Sequence, residues 1–118
     1  MITLYGIKNC DTVKRARSWL EEAGVDYAFH DFRADGLHRD KLEQWLQTLG
    51  VETLVNKRSA TWKQLDASTR DRFTATTAVS VILANPTLIK RPVLEAGEQV
   101  LVGFDNASYS ALFKQHTL

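Results

Sequence analysis

Two short β-leaning runs, residues 1–5 and 25–30, are separated by one amphipathic helical stretch, residues 11–23. This opening constrains the fold more than anything else in the chain. A strand, a helix long enough to return along it and a second strand form a βαβ unit. Its strands lie parallel and its crossover is right-handed. In the helical stretch Val13, Ala16, Leu20 and Ala23 recur at helical spacing, while Lys14, Arg15, Arg17, Glu21 and Glu22 lie mostly off that stripe. Gly24 follows where a left-handed residue ends a helix. In the second run Val25, Tyr27 and Phe29 alternate onto one face.

The remaining pattern completes a sheet. Residues 31–36 are polar and predict a loop. Leu42, Trp45, Leu46 and Leu49 predict an amphipathic helix ended by Gly50, with Trp45 in its core. Residues 51–59 show no period, and Trp62 with Leu65 predicts a short helical turn. Ser68 to Asp71 reads as a capping box with Asp in place of Glu or Gln. Residues 75–84 read as an apolar helix stopped by Asn85-Pro86. Strands at 93–95 and 99–102 around Gly97 predict a hairpin. Residues 103–106 read as a loop and N-cap, and residues 107–115 as a last helix with Tyr109, Leu112 and Phe113 inward. The order β-α-β, helical middle, β-β-α predicts an α/β fold. Its core is a thioredoxin-like mixed four-stranded sheet flanked by helices. The length, 118 residues, suits one domain spanning 1–118, with a helical insert over about 36–85.

Cys10 is the only cysteine, and it falls where the first helix opens, in Leu4-Tyr5-Gly6-Ile7-Lys8-Asn9-Cys10-Asp11-Thr12. A helix N-terminus presents unpaired N–H groups and the positive end of the macrodipole. A cysteine placed there tends toward the thiolate, the form that reacts. Lys8 adds a nearby cation, whereas a carboxylate such as Asp11 opposes ionisation. The expectation is a nucleophile in thiol exchange; the plain alternative is a small buried hydrophobe. One cysteine forms no internal disulfide, which suits a reducing, cytoplasmic setting. The chain enters a strand at once, so no signal peptide is expected, and no apolar run approaches the ~20 residues of a membrane span. A net charge of +1 gives no case for direct nucleic-acid or membrane binding. His30, His38 and His116 lack zinc-ligand spacing with one another or with Cys10, so no metal is expected.

Taken together, the motif around Cys10, Asn56-Lys57-Arg58-Ser59, Asn85-Pro86-Thr87-Leu88-Ile89-Lys90-Arg91-Pro92 and Val102-Gly103-Phe104 resembles the arsenate reductase-like (ArsC) family. Within it the chain is similar to the YffB/Spx-type small proteins. The resemblance covers nearly the whole chain and includes the helical insert. It implies that Cys10 is the catalytic cysteine, that Arg91 brings positive charge near its sulfur, and that the Arg91–Pro92 peptide is cis. For Arg91 the plain alternative is a surface ion pair. Arsenate reductases of this type use three arginines around the cysteine. By alignment one falls on Asn56, with Arg58 two places on, and another on Gly103; only Arg91 matches squarely. Loss of two cations disfavours an arsenate anion. Spx-type regulators often carry Cys-x-x-Cys, but the fourth position here is Val13.

Three functions follow as expectations. The first is a glutathione-dependent thiol/disulfide reductase. No cofactor is permanently bound, glutathione is the co-substrate, and a small thiol or disulfide (or a glutaredoxin) is the partner. Cys10 and Arg91 would be catalytic, and Lys8, Thr12, Arg58 and Pro92 would bind substrate. The second is an Spx-like regulator docking on RNA polymerase through Lys57, Arg58, Lys63, Arg70 and Arg72, residues that otherwise read as a solvated face. The third is arsenate reduction coupled to glutathione and glutaredoxin.

Overall fold

The structure is a computed structural model that describes residues 2–116, with side chains described for 2–114. Met1, the expected start of the first strand, lies outside these residues, as do the side chains of Gln115 and His116. In chain order the elements are β1 (Ile2–Gly6), α1 (Asp11–Glu22), β2 (Ala28–Asp31), α2 (Phe32–Asp35), α3 (Arg39–Leu49), α4 (Val51–Leu54), α5 (Ala60–Gln64), α6 (Ala67–Asp71), α7 (Ala75–Ala84), β3 (Val93–Ala96), β4 (Gln99–Val102) and α8 (Asn106–His116), with a 3-10 turn at Pro86–Leu88 before β3. They form two compact units: residues up to 34 with those from 91 onward, and residues 35–90.

The first unit holds a mixed four-stranded sheet in the order β2-β1-β3-β4. β1 and β2 are parallel; β3 is antiparallel to both β1 and β4. The register lines up Leu4 with Phe29 and Leu94, and Leu94 with Leu101, on one face. Ala16 and Leu20 of α1 and Tyr109, Leu112 and Phe113 of α8 bury themselves in the same cluster as Leu4 and Leu94. This is the thioredoxin-like arrangement expected from the sequence.

Local chemistry sets the ends. Val25 does not open β2, because its N–H bonds back to the Leu20 carbonyl at 2.9 Å and closes α1; β2 starts at Ala28. Ala23, expected on the inward stripe, is exposed, and Gly24 takes φ 72° just past the helix. Residues 31–36, expected as a loop, include the single turn α2: Asp31 Oδ1 accepts the Arg33 N–H at 2.8 Å and Phe32 turns inward, 3% exposed. α8 is capped by Asp105, whose carboxylate accepts the Ser108 hydroxyl at 2.6 Å and the Ala107 N–H at 3.0 Å. These bonds hold the Asp105 carboxyl below its ordinary range.

In the second unit α3 buries Leu42, Trp45 and Leu46 and ends at Gly50, φ 83°. α3 packs on α4 and α7, and α7 buries Ala78, Val79 and Ile82. The aperiodic stretch after Gly50 resolves into α4 and a bridge, Val55 with Ile89, flanked by bonds from Asn56 N–H to Leu88 and from Lys90 N–H to Leu54, both 2.8 Å. The capping box is not at Ser68. Asp66 caps α6 by accepting the Thr69 N–H at 2.7 Å, and the box forms at Thr74 and Thr77, at the start of α7. A threonine hydroxyl there does what a longer Glu or Gln usually does.

Tyr109 is 1% exposed, and among the described residues its hydroxyl has no hydrogen-bond partner. Burial pushes that hydroxyl's pKa up. Because an unpaired buried hydroxyl carries a desolvation penalty, Tyr109→Phe is expected to raise stability by about 1 kcal/mol. Urea unfolding checks this; a loss of stability would reveal a hidden partner.

Candidate functional site

β1 ends at Gly6, Ile7 is buried, and Lys8-Asn9 make an exposed turn that delivers Cys10 to the start of α1. Cys10 is the N-cap residue, extended at φ −127° and ψ 125°, and its carbonyl accepts the Lys14 N–H at 2.9 Å. Its side chain makes no capping bond and is half-buried. Among the described residues the sulfur has no hydrogen-bond partner, and it stands beside the open first turn of a twelve-residue helix. The strand and helix approach closely here: a Cβ on Gly6 would stand 2.8 Å from Cγ2 of the buried Val13.

The Arg91–Pro92 peptide is cis. Val93 is paired with Tyr5, one residue before the end of β1, so Pro92 lies at the sheet end from which the Cys10 turn departs. Pro92 is buried and Arg91 half-buried. The Pro92 carbonyl accepts the Gly103 N–H at 2.8 Å. Gly103 itself has φ 80°, a conformation that favours glycine and excludes an arginine at that position without strain. Lys8 is exposed. Among the described residues neither Lys8 nor Arg91 forms a salt bridge. Thr12 is half-buried in the first turn of α1, where its Oγ1 accepts from Arg15 Nη2 at 3.4 Å.

Five of the six expected residues, Lys8, Cys10, Thr12, Arg91 and Pro92, thus belong to the first unit. Arg58 belongs to the second, exposed, with its N–H bonded to Asn56 Oδ1 at 3.0 Å. Asn56 is a turn residue there, occupied through both side chain and backbone. Sequence reasoning missed a polar pair on the sheet. The Tyr5 hydroxyl donates to Glu95 Oε1 at 2.8 Å, with the His30 ring 5.0 Å from the Tyr5 ring. Burial first, then the Glu95 carboxylate, pushes the Tyr5 hydroxyl's pKa up. Tyr5 alternates away from Leu4 along β1, but its pairing needs a register that no single-sequence pattern supplies. Among the described residues no group of three or more His, Cys, Asp or Glu side chains is placed to hold a metal ion. No described helix is long and apolar enough to cross a membrane.

Comparisons place this geometry among known proteins. The model of the ArsC family matches residues 5–112. An uncharacterised protein of Haemophilus influenzae is 48% identical over 113 residues, covering 96% of this chain and 99% of that one. The solved structure of a YffB protein superposes with a TM-score of 0.91 at 43% identity, covering 94% of this chain and 97% of the other. An arsenate reductase (ArsC) related protein from Brucella melitensis gives 0.76 at 45% identity, covering 96% and 94%. The global transcriptional regulator Spx of Streptococcus pyogenes is 26% identical over 117 residues, covering 98% of this chain and 87% of that protein.

Proposed function

The chain belongs to the ArsC family, and from that premise we propose that it is a monothiol thiol–disulfide reductase, with Cys10 as nucleophile and glutathione as the resolving thiol. The observation that carries this reading is the uncommitted, half-buried Cys10 sulfur at the first turn of α1. The open first-turn amides of α1 favour negative charge there, and Arg91, whose backbone stands at the same sheet end, supplies a cation. The thiolate attacks the glutathione sulfur of a mixed disulfide. A bond forms between Cys10 and that sulfur, the old disulfide bond breaks, and the substrate leaves as a thiolate. A second glutathione thiolate then attacks the Cys10–glutathione disulfide, releasing glutathione disulfide and restoring Cys10. The two electrons come from glutathione, so the single cysteine suffices. Lys8 and Arg91 meet the carboxylates of glutathione, and the Thr12 hydroxyl adds a hydrogen bond. The Pro92 carbonyl is occupied by Gly103, so strand-type bonding to the peptide ligand falls to its neighbouring peptide groups.

The test is incubation with glutathione disulfide followed by mass spectrometry. One glutathionyl group is expected on Cys10, released again by excess reduced glutathione. Arg91→Ala is expected to slow adduct formation about tenfold at neutral pH, the equivalent of ~1.4 kcal/mol. An unmodified Cys10 would sink the proposal, and an unchanged rate in Arg91→Ala would remove Arg91 from it.

A second reading, transcriptional regulation, is favoured by the similarity to proteins named as the regulator Spx. Within these 118 residues one cysteine excludes an internal disulfide switch. Retention of RNA polymerase from lysate by the wild type and by Cys10→Ser alike would select this reading over the reductase.

A further inference from the structure

We infer that the mixed disulfide reduced at Cys10 is carried by a protein, and that a short acidic–apolar–basic segment of that protein docks along α1. The inference rests on the reading of Cys10 as the nucleophile. A shallow, open depression of about 580 Å³ lies beside α1 and is lined by its Lys14, Arg15, Trp19 and Glu22 together with Phe104 and Asn106. Its middle is an aromatic wall held in advance. The Trp19 indole N–H donates to Asn106 Oδ1 at 2.5 Å, and the Trp19 ring meets Tyr109 edge-on at 5.5 Å. Phe104 meets the same Tyr109 edge-on at 4.9 Å. Both rings remain half-exposed. Rings already fixed in place lose little freedom when a partner covers them.

The charges at the two ends have opposite sign. Lys14 and Arg15 stand at the Cys10 end and Glu22 at the far end. Among the described residues the side chains of Lys14 and Glu22 have no partner, and Arg15 has only the 3.4 Å bond to Thr12. Lys14 to Glu22 is eight residues, or ~12 Å along a helix axis. An extended segment of about four residues covers that length. The complementary segment therefore places an acidic side chain at Lys14 and Arg15, an aromatic or aliphatic one on Trp19 and Phe104, and a basic one at Glu22. The Lys14 N–H bonds to the Cys10 carbonyl, so Lys14 lies about one turn, ~6 Å, below Cys10. The partner's glutathionylated cysteine then lies about two residues from its acidic side chain. Glutathione alone does not extend along the depression; its role stays at Cys10.

The experiment uses two synthetic ten-residue peptides, each carrying one cysteine–glutathione mixed disulfide. The matched peptide has Glu two residues after the cysteine, then Phe, then Lys; the other has Glu and Lys exchanged. A small glutathione mixed disulfide, that of cysteine, is the third substrate. The wild type is expected to reduce the matched peptide with a kcat/KM about tenfold above the exchanged one, a preference that shrinks with added salt. The double variant Lys14→Glu, Glu22→Lys keeps the net charge. It is expected to reverse the preference between the two peptides, read as the ratio of their rates in each protein, so that any common change at Cys10 cancels. Equal rates on the two peptides, or a preference unmoved in the double variant, would overturn the inference. Absence of turnover on the small substrate would instead overturn the reductase reading. In that case anisotropy of the labelled, reduced peptides with Cys10→Ser still decides the docking: unequal affinity supports it and equal affinity ends it.

Discussion

Replacing Cys10 by serine is expected to abolish glutathione-coupled disulfide reduction, by at least about 10³-fold, while leaving the protein as stable as the wild type or more so. The two effects have separate causes. A serine hydroxyl is a far weaker nucleophile than a cysteine sulfur, and it forms no disulfide. A 10³-fold loss corresponds to ~4 kcal/mol of transition-state stabilisation. Stability moves the other way because Cys10 occupies an N-cap in extended conformation without making a capping bond. Serine is a preferred N-cap whose hydroxyl oxygen accepts a hydrogen bond from a first-turn N–H, an effect of about 0.5–1 kcal/mol. A turnover assay paired with thermal unfolding checks both. A variant that keeps its activity and loses stability would make Cys10 a structural residue.

The second large effect is expected at Gly6. A Cβ there would meet Val13 Cγ2 at 2.8 Å and Cγ1 at 3.4 Å, and Val13 is fully buried on a β-branched, rotationally stiff side chain. Neither group yields without moving the end of β1 from the start of α1. Gly6→Ala is therefore expected to cost about 1–3 kcal/mol. Val13→Ala alone leaves a cavity and also destabilises. Combined, the two should cost at least ~1 kcal/mol less than their sum, because the second removes the clash created by the first. Denaturant midpoints of the four proteins measure this coupling. Strict additivity would mean that the close approach is relieved elsewhere.

The parts of this molecule that were legible in its sequence are those with a period. The stripe of Val13, Ala16 and Leu20, the alternation around Gly97 and the inward Tyr109, Leu112 and Phe113 predict a mixed four-stranded sheet and the helices that cover it, though not the order of its strands. Besides Ala23 and Val25, where backbone closure of α1 decides, the errors fall where one short polar side chain decides an end. Asp31 folds a turn around Phe32, Asp66 rather than Ser68 caps α6, and Thr77 completes a box that looks for a longer residue. The site is divided in the same way. Cys10 announces itself by uniqueness and position, whereas the cis peptide at Arg91–Pro92 followed from family resemblance and from no periodicity. The Tyr5–Glu95 pair and the Trp19–Asn106 bond join residues 90 and 87 positions apart, which only the assembled fold brings together.

The strand order has a consequence for how the Cys10 end survives fluctuation. β1 and β3 are the inner strands of the sheet, while β2 and β4 are its margins. Cys10 follows β1, and the Arg91–Pro92 step leads into β3. Fraying begins at margins, where half the ladder is unpaired, and reaches inner strands only with global opening. Deuterium is therefore expected to enter the amides of Leu4 and Leu94 later than those of β2 and β4, and Cys10 and the Arg91–Pro92 step stay anchored while the borders of the sheet breathe.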